Sequence, residues 1–204
     1  MELLQRLQRW YTIHCDGDWE HEYGVSISTL DNPGWDVKIN LEDTCLRNAQ
    51  LEYKLIERSP TNWIGCTVKD GSFNGIGGPE NLSEILTYFL DEFLPEHIDS
   101  EFTYPLHLPM LEHKGQLWLK ADASVVSEST LKIVSLSNPL LPDSYEWNLD
   151  AEAELLNQIA SNLSEMRPAF EVGDVVEPTV YQSPDNMLRT FLVAPEKKQC
   201  LSCY

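Results

Sequence analysis

The densest group of chemically versatile side chains is the run His14-Cys15-Asp16-Gly17-Asp18-Trp19-Glu20-His21-Glu22, which contains every common type of metal ligand. A calcium loop of the helix-loop-helix kind requires Gly at its sixth position and Glu at its twelfth, where a count from Asp16 meets His21 and Ile27. A zinc site requires a second, distant pair of ligands, and nothing in the sequence argues for one. No metal and no cofactor is therefore expected, and the run reads as an acidic loop that ends a helix. Its alternative use is as an acidic rim around an aromatic anchor, Trp19, an arrangement that suits a protein interface. Gly75-Ile76-Gly77-Gly78-Pro79 before a helix offers backbone N–H groups to a phosphate, but no Lys or Arg follows and Glu80 and Glu84 repel an anion. It reads as a structural turn. Cys200 and Cys203 form half a zinc site in a segment without periodicity, and neither a Gly-x-Ser-x-Gly elbow nor an HExxH helix occurs, so no catalytic residue is expected.

Periodicity supplies the elements that must hold these groups. Leu3, Leu4, Leu7, Trp10, Tyr11 and His14 recur at helical spacing, and Cys15-Asp16-Gly17-Asp18 breaks the pattern. Tyr23, Val25 and Ile27, then Trp35, Val37, Ile39 and Leu41, alternate as two strands of a hairpin. Between them Asp31-Asn32-Pro33-Gly34 predicts a type II turn with Gly34 at positive φ. Further strands are expected over Leu51 to Glu57 and Trp63 to Val68, making a meander. Pro79 opens a helix whose stripe is Leu82, Ile85, Leu86, Phe89, Leu90 and Phe93, and Pro95 is expected to stop it. The stretch with Pro105 and Pro109 reads as a linker or irregular arm. Beyond it, strands are expected over Gln116 to Val126, Thr130 to Leu136, Phe170 to Val176, Thr179 to Gln182 and Arg189 to Val193, with a helix over Asp150 to Met166.

The fold class expected is α+β: an antiparallel meander sheet flanked by an N-terminal and a C-terminal helix over residues 1–97, followed by a second α+β region over 98–204 with a mobile tail from about 195. Trp10 and Trp63 are assigned to the core, Trp19 and Trp35 to an interface.

Acidic residues number 33 against 14 basic ones, a formal net charge of −19. Nucleic acid and anionic membrane are disfavoured as partners, since each calls for a positive surface. The excess is spread, with 7 basic and 17 acidic residues up to His97 and 7 and 16 beyond. Five scattered cysteines are not a secreted disulfide framework, and no apolar run suits a signal peptide or membrane helix, so a cytoplasmic protein with reduced thiols is expected.

From Thr12 to Leu46 the sequence TIHCDGDWEHEYGVSISTLDNPGWDVKINLEDTCL resembles the immunity protein 53 family of bacterial polymorphic toxin systems. Trp10-Tyr11, Cys15 to Gly24, Thr29 to Trp35, Trp63-Ile64, Asp70-Gly71 and Gly75 to Glu80 occupy the family's hallmarks in order, so the resemblance covers about residues 1 to 96. It implies a non-enzymatic protein encoded beside a toxin, which binds that toxin and protects the producing cell. On this reading Asp16, Asp18, Trp19, Glu20, Glu22, Asp31, Trp35 and Asp36 form a surface that occludes a basic toxin, and the sign of the charge suggests a nuclease. The alternatives are a metal-dependent or small-molecule enzyme using His14, His21 and neighbouring acids, and a scaffold subunit of a larger assembly.

Overall fold

Leu7 and Trp10 form the buried stripe of α1 (Leu3–Thr12), whose start is closed by reciprocal capping between Glu2 and Gln5. The computed structural model describes residues 2–109, 118–137, 170–182 and 190–194. The chain divides into two compact units, Met1–Phe102 with Ser127–Ser129, and Thr103–Val126 with Thr130–Tyr204.

In the first unit α1 leads through a single turn, α2 (Trp19–Glu22), to a five-stranded antiparallel sheet of β1 (Val25–Leu30), β2 (Gly34–Asn40), β3 (Lys54–Ser59), β4 (Asn62–Lys69) and β5 (Ser72–Gly77). Its spatial order is β1-β2-β5-β4-β3. The antiparallel sheet with flanking helices is as expected, but Gly75 to Gly77, expected in a turn before a helix, instead belong to the central strand, β5. The glycines that disguise it have a packing cause. A Cβ on Gly75 would collide with the Ile85 side chain, and one on Gly77 would lie 3.1 Å from the same side chain and 2.9 Å from the Trp63 carbonyl. Close approach of helix to sheet excludes the β-branched residues that ordinarily mark a strand.

Registers place Trp35, Gly77 and Ile64 in one row, Val37, Gly75 and Cys66 in the next, and Ile39, Phe73 and Val68 beyond them. This is the face covered by helices. Phe73 meets Phe89 and Phe93 with ring centroids 5.1 and 5.2 Å apart, and Trp10 of α1 meets Phe89 edge-on at 5.5 Å. The covering helix begins at α3 (Leu82–Thr87), three residues beyond the expected Pro79. It widens to a π-helical stretch over Tyr88–Phe93 and ends as α4 (Leu94–His97). Pro95 does not stop it. The π register carries the Leu94 N–H to the Phe89 carbonyl, so the helix passes the proline, which sits in the first turn of α4 where no N–H is needed.

Two other expectations at turns are corrected. Gly34 is not at positive φ; among the described glycines that conformation belongs to Gly17, Gly71 and Gly173. Gly34 instead pairs with Leu30 as the first residue of β2, and a Cβ there would stand 2.5 Å from the Gly77 carbonyl. Trp63, assigned to the core, is half-buried on the sheet's other face, one residue out of phase with buried Ile64.

The second unit holds a six-stranded sheet of β6 (Thr103–Pro109), β7 (Trp118–Ser127), β8 (Thr130–Leu136), β9 (Val175–Val176), β10 (Thr179–Gln182) and β11 (Thr190–Val193), in the order β10-β11-β6-β7-β8-β9. The presumed linker is thus an interior strand, β6. The Ala194 N–H donates to the His107 carbonyl, so the odd-numbered backbone groups of β6 face β11. Pro105 lacks its hydrogen on that side and leaves the ladder to β7 intact, while β11 meets β6 in parallel at Val193 and His107. The helix expected over Asp150 to Met166 and the tail from about 195 lie outside the described residues.

Candidate partner-binding surface

The His14–Glu22 run closes into a rigid loop because its own polar groups satisfy its backbone. Gly17 takes φ +106°, and its N–H donates to both carboxylate oxygens of Glu20 at 3.1 Å. Asp16 Oδ1 accepts from the N–H groups of Asp18 and Trp19 at 3.1 and 3.0 Å. Asp16 and Glu20 therefore point part of their charge into the loop, whereas Asp18 and Glu22 are exposed.

Trp19 is not the exposed anchor the sequence suggested: it is 3% accessible. Its Nε1–H donates to the Glu42 carbonyl at 2.8 Å, and its ring sits among His14, Tyr11 and Tyr23 at centroid distances of 5.0, 5.9 and 6.1 Å. The physical reason is that α2 folds the loop back over the end of the sheet, so the indole plugs the core from outside. By gripping Glu42 it brings the exposed Glu42 and Asp43 beside the loop, where desolvation first, and then the charges of Asp43, Glu22 and Glu42, hold the Tyr23 hydroxyl above its ordinary range. Glu42 and Asp43 were missed in the sequence, where they stand about twenty residues from the loop; their only signal was their place just past the second strand.

His14 lies beneath the loop, 1% accessible, with its Nδ1–H donating to the Trp10 carbonyl at 2.7 Å. Burial pushes its pKa down to about 3, which keeps the ring neutral. His21 is exposed, so the two histidines of the enzyme alternative face different surroundings. Burial likewise raises the Cys15 thiol to about 11 and the Cys66 thiol to about 12. Among the described residues no group of three or more His, Cys, Asp and Glu is placed to hold a metal ion, and no helix is long and apolar enough to cross a membrane.

The remaining residues of the expected surface are not gathered at this loop. Asp31 lies in the exposed turn at the far end of β1, a strand of six residues and hence about 20 Å long. Trp35 is half-buried at that same end, its Nε1–H donating to the Pro79 carbonyl at 2.8 Å. Asp36 lies between the two, on the face away from the helices, with the Ser28 hydroxyl 3.5 Å from its carboxylate. The structure thus separates the set into an acidic loop with Asp16, Asp18, Glu20 and Glu22 over the plugged Trp19, and a distal group with Asp31 and Trp35, connected by the β1–β2 ribbon that carries Asp36.

Residues 4–93, running from α1 to the end of the π-helical stretch, match the family model described as Immunity protein 53. None of the curated proteins and none of the solved structures matches the chain.

Proposed function

We propose, from the match of residues 4–93 to the Immunity protein 53 family model, that the chain neutralises a basic protein toxin, of nuclease type, encoded beside it. Inhibition is by contact: the acidic loop and the β1–β2 ribbon cover the toxin's active surface, and no chemistry is asked of this chain. The observation that carries the reading is the preorganised loop, in which Asp16 and Glu20 tie the backbone while Asp18 and Glu22, with Glu42 and Asp43 beside them, stay exposed. Charges held on a fixed scaffold lose little entropy on binding, and an acidic field accelerates encounter with a cationic cleft. The net charge of −19 adds to the same attraction.

The test pairs growth rescue with association kinetics. Co-expression of this chain with the toxin should restore growth, and the double variant Asp18→Lys, Glu22→Lys should slow association about tenfold at low salt while leaving the unfolding midpoint unchanged. Absence of rescue by the unmodified chain against an active toxin would sink the immunity reading. Rescue together with an association rate indifferent to salt and to charge reversal would sink only its electrostatic part.

A further inference from the structure

The two edges of the first unit's sheet are treated differently. β3 is guarded: it carries Lys54, Glu57 and Arg58, its register shifts between Glu57 and Ser59, and Pro60 follows. β1, the other edge, reads Val25-Ser26-Ile27-Ser28-Thr29-Leu30, with no charge, no proline and no bulge, and Ser26 to Thr29 are exposed. Unguarded edges of this kind invite pairing with another chain.

The phase of its hydrogen bonds is set by the bond from the Asn40 N–H to the Gly24 carbonyl. Gly24 and Asn40 are directly opposed, so Ser26, Ser28 and Leu30 bond inward to β2, and Val25, Ile27 and Thr29 direct their N–H and C=O groups outward. Among the described residues no strand lies on that side. The side chains of these outward residues continue the helix-covered face, where Ile27 remains 39% accessible. Acids stand at both ends of the strand: Glu22, with Glu42 and Asp43, at its start and Asp31 at its finish. A groove of about 280 Å³ lined by Glu22, Tyr23, Ser26 and Lys38 opens beside the starting end.

We propose that the outer edge of β1 accepts an extended segment of the toxin as a sixth strand, one with an apolar or hydroxylated centre and Lys or Arg at both flanks. Main-chain bonds to Val25, Ile27 and Thr29 hold the segment, and the acids at the two ends select its basic flanks. A second copy of this chain is the less suitable occupant, because edge-to-edge pairing would bring together two molecules each of net charge −19. The proposal rests on the toxin-binding reading and adds the contact by which it occurs.

Amide hydrogen exchange on the full chain, alone and with toxin inactivated by substitution, reads the contact directly. The N–H groups of Val25, Ile27 and Thr29 should exchange rapidly in the free protein and slow about a hundredfold in the complex, while Ser26 and Ser28 are protected in both. Ile27→Pro deletes an outward donor and no inward bond, and should weaken toxin binding about tenfold or more. If that variant fails to fold, exchange on the unmodified chain decides alone. Tight binding with no new protection at Val25, Ile27 and Thr29 would overturn the edge contact and leave immunity standing. A toxin-free dimer that protects the same amides would overturn it in favour of self-pairing. Neither binding nor growth rescue by the full chain would remove the immunity reading and this proposal with it.

Discussion

Lowering the pH from 7 to 5 should destabilise the first unit through one residue, His14. The ring is fully enclosed among Trp10, Trp19 and the turn that follows α1, and its folded pKa falls from 6.5 to about 3 because burial penalises the charged form. The bond to the Trp10 carbonyl and the field of Asp16 oppose that shift and do not reverse it. The unfolded chain takes up a proton near pH 6.5 that the folded chain refuses until about pH 3, so stability is complete above pH 6.5 and drains away as pH falls through that window. Each pH unit inside it costs about 1.4 kcal/mol, hence about 2 kcal/mol at pH 5. Protonation of the many carboxylates relieves repulsion and acts in the opposite sense, so the quantity to measure is a difference. Urea unfolding of the native chain and of His14→Asn at several pH values between 7.5 and 5 shares every carboxylate and isolates the histidine. The native chain should lose about 2 kcal/mol relative to the variant, and its His14 ring resonances should stay those of neutral imidazole at pH 5. Parallel pH dependences for the two proteins, or a ring that titrates near 6.5, would refute the enclosed neutral histidine.

Other substitutions probe the close helix–sheet contact and the polar joint beside it. Gly75→Ala should cost about 1 to 3 kcal/mol in thermal or urea unfolding, and the combination with Ile85→Ala should cost less than the sum of the two, since the added methyl then occupies the vacated space. Asn81, 6% accessible, accepts from the Trp63 N–H and donates to Asn62 and Glu84, so Asn81→Ala should lose about 1 to 3 kcal/mol. Arg58→Ala removes the solvent-facing pair with Glu84 and a hydrogen bond to the Asn62 side chain, both at the surface, and should lose less than about 1 kcal/mol, a contrast that equal losses would contradict.

Elements whose own spacing carries their burial are legible in the sequence alone. The stripe of α1 through Leu7 and Trp10, the alternation of Val37 and Ile39, and the run Ile85, Leu86, Phe89, Leu90 and Phe93 depend on local geometry, and all those side chains are buried. The acidity of the loop was legible as well, because charge is a property of composition. What the residues could not reveal were relations between segments distant in the chain. Ser72–Gly77 becomes the central strand only because Ile85 presses on Gly75, and Trp19 turns inward only because the Glu42 carbonyl, on another connection, waits for its indole. Periodicity reports which face of an element is apolar; which neighbour meets that face, and hence which acids are gathered at one end of the sheet and which strand edge has no neighbouring strand among the described residues, follows from close packing and hydrogen-bond satisfaction in three dimensions.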